Sequence, residues 1–158
     1  MPTTNTGKIN YPDWPLFWRA AVLLFPLIAP ALTFASPQIT VAHGRIRLLP
    51  GGLPLAGYFD LVNDSNQRVT LVDASSPVFR TVELHRSSEK DGMSSMISVR
   101  RIEVIAGRTF HFSPDGYHLM LMGRRRSLRV GDKVPVTLQF SGDKTLQVIF
   151  KIEGADSQ

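Results

Sequence analysis

Beyond the initiator, the methionines of this 158-residue chain are Met93, Met96, Met120 and Met122, and two of its four histidines, His85 and His118, fall in the same stretch. Methionine that only fills a core scatters over all strands, yet residues 39–74 and 133–153 hold none. In "GYHLMLMG" (116–123), His118, Met120 and Met122 occupy alternate positions. On a strand, that alternation sends His118 and Met120 out of one face with Cα atoms about 6.5 to 7 Å apart, near enough to share an ion, and turns Leu119 and Leu121 to the other face. Two ligands on one strand need others from a neighbour. "ELHRSSEKDGMSSM" (83–96) offers His85 at the end of one strand and Met96 at the start of the next, with a polar loop, 86–95, bringing them to one edge. Thioether sulfur is soft, neutral and never protonated, and with imidazole it favours Cu(I), whereas zinc prefers thiolate, imidazole and carboxylate. His85, Met96, His118 and Met120 therefore read as ligands of copper, chiefly cuprous. Three accessory positions stay open. Glu83 shares a face with His85 and is either a hydrogen-bond partner of a ligand imidazole or a solvated carboxylate. Met122 either completes the site or forms its apolar rim, and Met93 either guides capture or faces solvent.

Elements that could position these residues follow from the punctuation of the chain. Short alternating runs divided by Gly, Pro, Asn, Asp and Ser predict strands near 39–48, 56–63, 68–74, 80–87, 96–104, 108–113, 117–122, 133–140 and 145–153. No helical stripe of useful length is present. "NDSNQ" (63–67) and "SGDK" (141–144) read as hairpin turns, because Asn, Asp and Gly tolerate the left-handed backbone that hairpins need. "LLPGGLPLAG" (48–57) reads as a loop across one end, and "GADSQ" at the C-terminus is expected to fray. Seven to nine short antiparallel strands predict a two-sheet sandwich or Greek-key barrel, since a single flat sheet buries no inner face. Tyr58, Phe59, Phe110, Phe112, Phe140 and Phe150 read as core aromatics. His43 and His111 have no metal-spaced companion and read as surface histidines.

Lys8 and Arg19 precede an uncharged apolar run that ends in Thr33-Phe34-Ala35, the order of a secretory signal. Residues 1–35 are therefore expected to be a signal peptide cleaved after Ala35, and residues 36–158 a single β-sandwich domain. The alternative is an uncleaved membrane anchor, although the run from Ala20 to Ala35 contains Pro26 and Pro30 and falls short of the ~20 residues a span needs. Losing Lys8, Arg19 and Asp13 with the signal lowers the net charge from +5 to +4. Part of that excess is Arg124-Arg125-Arg126, either a solvated turn or a docking patch for an acidic partner. The chain has no cysteine. That excludes blue-copper electron transfer, iron–sulfur clusters, thiol catalysis and thiolate zinc sites. No nucleophile elbow, phosphate-binding glycine loop or paired catalytic carboxylates stand out, so an enzyme is not expected.

The gaps between the four candidate ligands make the motif H-x10-M-x21-H-x-M, which resembles that of the PCuAC-type periplasmic copper chaperones. "GYFDLVNDS", "LVDASSPVFRTVELHRS", "DGMSSM", "SPDGYHLMLMG" and "GDKVPVTLQF" are similar to that family too, and the likeness runs from about 38 to 152. The resemblance implies an all-β, cupredoxin-like Greek-key sandwich, exported to the bacterial periplasm and monomeric, that binds one Cu(I) through His85, Met96, His118 and Met120. It implies delivery to a copper-accepting protein, either the CuA-bearing subunit of cytochrome c oxidase or another assembly chaperone. Nucleic acid is not an expected partner, and the membrane is expected to be touched only through the acceptor or an uncleaved N-terminus. Many family members carry Trp in the first strand, where this chain has His43 and Gly44. Some end in a His- and Met-rich tail for a second, cupric ion, which "GADSQ" lacks, so one site is expected. Copper storage or detoxification, and a partner-binding sandwich with a vestigial site, are the alternative functions.

Overall fold

The computed structural model describes residues 38–90 and 93–155, and the side chains of all of these except 89, 90, 93 and 94. The expected signal peptide thus lies outside the described residues. Ten strands follow one another: β1 (Ile39–Arg47), β2 (Leu55–Asn63), β3 (Val69–Ser75), β4 (Phe79–Lys90), β5 (Met93–Ser98), β6 (Ile102–Val104), β7 (Arg108–Phe112), β8 (Tyr117–Arg124), β9 (Lys133–Phe140) and β10 (Lys144–Glu153). No helix occurs among the described residues. The strands form a continuous hydrogen-bonded order, β5-β4-β8-β7-β2-β1-β10-β9-β3-β6, and β8 also pairs with β2. Val82 and Leu84 of β4 share one buried cluster with Leu71 of β3 and with Ile102 and Val104 of β6, from the far end of that order. The sheet must therefore curl until its halves face each other, and that curl creates the inner face a flat sheet lacks.

Alternation decides what enters this core. Leu55, Gly57, Phe59 and Leu61 of β2 point inward, and Leu55, Phe59 and Leu61 are at most 1% exposed. Phe59 stacks on Phe112 with ring centroids 3.9 Å apart. Leu119 and Leu121 of β8 are fully buried beside them, each worth about 1.5–3 kcal/mol of burial. Gly57 lies against these leucines. A Cβ there would come 3.3 Å from Leu119 Cβ and 3.3 Å from Leu121 Cδ1. Gly57→Ala is therefore expected to overpack the layer beneath β8 and cost about 1–3 kcal/mol, measured as a lowered urea midpoint.

Several expectations need correction. The described residues form ten strands, not seven to nine, because the run read as one strand over 96–104 is two: β5 pairs with β4 and β6 pairs with β3. The chain leaves one end of the strand order and joins the other across Val99–Arg101. The pairing is not wholly antiparallel either, since β1 runs parallel to β10, with Arg45 opposite Lys151, and β7 meets β8 in parallel at Phe112 and Tyr117. "SGDK" is a hairpin turn, with Gly142 at φ 76° and Asp143 at φ 58°. "NDSNQ" is not. It joins β2 to β3, which are not neighbours, and none of its residues has positive φ.

Asn63 explains how that crossing loop holds its shape. It is fully buried, its Nδ2 donates to the carbonyls of Gln67 (2.8 Å), Val104 (3.1 Å) and Ile105 (3.2 Å), and its Oδ1 accepts from the amide and hydroxyl of Ser65. At the C-terminus, "GADSQ" is anchored as far as Ala155, whose carbonyl accepts from the Arg47 guanidinium.

β1 carries the one irregularity that bears on surface chemistry. Ala42 lies opposite Asp60 and Arg45 opposite Tyr58, so three steps on β1 match two on β2. This bulge has His43 at φ 55°, a strained setting for a residue other than glycine. Gly44 follows, where a Cβ would meet the Phe150 ring at 3.0 Å. The extra residue reverses the alternation: without it Ile46 would face out, and with it Ile46 is buried while Arg45 and Arg47 face outward.

Candidate metal centre

On the face of β8 opposite Leu119 and Leu121, the register brings the sequence-selected residues together. His85 of β4 lies directly opposite His118 of β8, and Glu83 lies opposite Met120. On the other side of β4, Met96 of β5 lies opposite Ser87, and Ser98 lies opposite His85. All four candidate ligands thus occupy the outer face of three adjacent strands. The loop expected over 86–95 is mostly strand, because β4 and β5 extend into a ribbon. His85 and Met96 sit within its strands rather than at their ends.

The two imidazoles are 6.0 Å apart between ring centroids, tilted by 52°. His85 Nε2–H donates to Glu83 Oε2 at 2.9 Å, a hydrogen bond of the kind expected under one of the two readings of Glu83. In the tautomer with that proton on Nε2, Nδ1 carries the lone pair, and Nδ1 is buried without a hydrogen-bond partner. An unpartnered buried acceptor is uncommon and calls for an explanation. His118 is 2% exposed. Its Nδ1–H donates to the Gly116 carbonyl at 3.3 Å, which leaves Nε2 as the acceptor. Burial pushes the His118 pKa down, the Gly116 hydrogen bond opposes that, and the neighbouring His85 lowers it further. The net effect keeps His118 in the neutral form that ligates metals.

A depression of about 310 Å³ opens over this face, lined by Met96, His118 and Met120 together with Ser87, Tyr58 and Arg47 and an apolar collar that includes Leu53, Pro54 and Pro114. Met96 stands 57% exposed at its mouth. Met122 lies opposite Thr81, two residues farther along β8, and is not among the lining residues. The Met93 side chain lies outside the described ones. Among the described residues no three His, Cys, Asp or Glu groups are gathered to hold a metal. Of the four candidate ligands, Met96, His118 and Met120 line the depression and His85 does not, although its ring stands 6.0 Å from that of His118. Imidazole and thioether together are soft, neutral donors of the kind that suit Cu(I).

Tyr58, read from sequence as core, is buried but on the outer face, with its ring 6.4 Å from that of His118. Burial raises its pKa, against the lowering effect of Arg47 and Arg45, so the phenol stays neutral. The signal was present in "GYFD", since adjacent aromatics on a strand must face opposite ways. His43 and His111, which sequence left without company, both donate through Nδ1 to Asp60, at 2.8 and 2.6 Å. Burial acts to raise the Asp60 pKa, but those hydrogen bonds and the histidine charges prevail and hold it below the ordinary carboxylate value. The cluster joins three strands, and no spacing along the chain announces it. Of the three arginines at 124–126, Arg124 ends β8, Arg125 donates to the Phe79 carbonyl and Arg126 pairs with Asp132.

Known proteins share both sequence and fold with this chain. Residues 39–152 match the family model described as "Putative lipoprotein LpqE-like". "Putative lipoprotein Lxx21020" of Leifsonia xyli subsp. xyli is 32% identical over 116 residues, covering 73% of this chain and 69% of its own length. The solution structure of CuI-DR1885 from Deinococcus radiodurans superposes with a TM-score of 0.61 at 31% identity, over 78% of this chain and 83% of that one. A copper-bound PCuAC domain from PmoF2 superposes with a TM-score of 0.63 at 21% identity, over 77% and 97%. The expected fold class, all-β and cupredoxin-like, is the one these neighbours have. A match that begins with β1 and ends within β10 makes this chain a member of the LpqE-like family.

Proposed function

We propose that this protein binds one Cu(I) through His85, Met96, His118 and Met120 and passes it to a copper-accepting protein in the bacterial cell envelope, the CuA centre of cytochrome c oxidase being the acceptor expected from the resemblance. The observation that carries the reading is the buried, unpartnered Nδ1 of His85, on the same face as His118 and the two thioethers. Glu83 and the Gly116 carbonyl each hold an N–H, which leaves the other ring nitrogen of each imidazole available to an ion. The Cu(I) form of the 31%-identical DR1885 supports the choice of metal. In delivery, exposed Met96 is the donor within reach of an incoming ligand, and the buried His118 and half-buried Met120 retain the ion until exchange proceeds.

Residues 1–35 are read as the export signal, and the periplasm as the site of action. The lipoprotein description of the relatives is not carried over, since none of these 158 residues is a cysteine and no thiol among them can bear a lipid. The test is competition for Cu(I) against a chromogenic chelator. The protein should withdraw about one equivalent, with all four ligand positions contributing, and no withdrawal would end this reading. Transfer from the loaded protein to an apo CuA domain separates delivery from storage.

A further inference from the structure

The row of outward residues that contains His85 and His118 continues across the sheet. His118 stands beside Tyr58, Tyr58 is opposite Arg45, Arg45 is opposite Lys151, and Lys151 is opposite Lys133. The Arg45 guanidinium lies over the Tyr58 ring, 5.6 Å from its centroid. Three cations thus stand in direct register on β1, β10 and β9, beginning two strands from His118 and ending roughly 20 Å away. Like charges placed opposite one another weaken a sheet. Among the described residues, no carboxylate forms an ion pair with any of the three, although Asp115 and Glu153 line the same cleft of about 380 Å³ as Arg45 and Tyr58. Moreover, the first cation reaches this face only because the strained bulge at His43 reverses the alternation of β1. The Arg45–Tyr58 contact offsets part of the cost of the row for the first cation, but Lys151 and Lys133 have no such contact among the described residues. The cleft beside the row also shares Tyr58, Arg47 and Pro114 with the depression over the candidate ligands.

We infer that Arg45, Lys151 and Lys133 form a docking surface for a carboxylate-rich face of the protein that takes the metal, and that Tyr58 is where this surface meets the metal site. The inference rests on the proposed copper delivery. Opposite charge on the partner orients the encounter so that its receiving ligands arrive over Met96 and Met120, and such steering raises association rates most at low salt.

Two measurements test it, using Lys133→Glu/Lys151→Glu, whose exposed positions lie outside the ligand set. The first titrates the copper-free protein with a decaglutamate peptide at low salt and follows backbone amide shifts. Shifts are expected around Arg45, Lys133 and Lys151 and should vanish in the variant. The second follows Cu(I) transfer to an apo CuA domain. The variant is expected to bind Cu(I) as tightly as the parent, which also shows that it is folded, yet to transfer on the order of tenfold or more slowly at low salt, the difference closing at high salt. Equal transfer rates, or peptide shifts elsewhere, would overturn the inference. So would Lys133- and Lys151-dependent binding to phosphatidylglycerol vesicles, which would assign the row to lipid. A protein that takes up no Cu(I) but binds decaglutamate at this row fails the copper reading and not the acidic docking surface.

Discussion

Met120→Leu is expected to lower Cu(I) affinity by about tenfold or more while leaving the copper-free protein within about 1.5 kcal/mol of its original stability. Leucine replaces methionine at similar volume, so the half-buried wall of the depression stays filled. Only the thioether is lost, and the ion is left with fewer soft donors. Met122→Leu is the matched control. Met122 shares the outer face of β8 but lies opposite Thr81, two residues farther than Met120 from the His85–His118 pair, so its replacement should leave affinity unchanged. Chelator competition reads affinity, and urea denaturation without copper reads stability. A drop in stability with no change in affinity would make Met120 a packing residue and remove it from the ligand set.

Asn63→Ala is expected to destabilise the fold by about 3 kcal/mol without touching the copper affinity of the molecules that remain folded. The side chain is fully buried and serves five hydrogen bonds, three as donor and two as acceptor. Alanine removes all of them; the Ser65 amide and the Val104 carbonyl lose the side-chain partner, while the Ile105 carbonyl keeps the Arg108 amide at 3.2 Å. Each buried polar group stranded in this way costs about 1–3 kcal/mol, reduced where another hydrogen bond remains. Ser65 Oγ keeps its bond to the Gln67 carbonyl at 2.9 Å, which is why the expected loss stays well below the full sum. Thermal unfolding monitored by circular dichroism measures it, and a shift of less than a degree or two would mean that the loop reorganises to satisfy itself.

Much of this architecture was legible because a half-buried strand writes its period into the chain. In β9, Val134, Val136, Leu138 and Phe140 are buried, and between them Lys133, Pro135, Thr137 and Gln139 are not. β8 does the same with Leu119 and Leu121. The pattern says which residues share a face, and that was enough to put His118 beside Met120. It does not say which strand lies next door. In "MISVRRIEV" the alternation breaks at Arg100-Arg101, within the stretch where the chain crosses from the β4 side to the β3 side, but a single arginine pair was too small a signal to divide the run. The parallel pairing of β1 with β10 joins residues about a hundred positions apart, and no local propensity encodes it. The ribbon of β4 and β5 was illegible for another reason. Its Ser-rich polar stretch buries little, so the hydrophobic period that announces a strand is absent there. The candidate ligands were found through residue type, whereas the His43–Asp60–His111 cluster and the cation row exist only in register.

With His85 as the proposed ligand, its unpartnered nitrogen sets stability and metal capture against each other at one position. Without an ion, an apolar side chain would suit that buried spot better than an imidazole with an idle lone pair. With one, the same lone pair becomes a reason for the copper-bound state to resist unfolding. A laboratory selection for heat resistance run in the absence of copper would thus be drawn to His85, and the sturdier variants it returned would have lost the feature that distinguishes this face from the rest of the sheet.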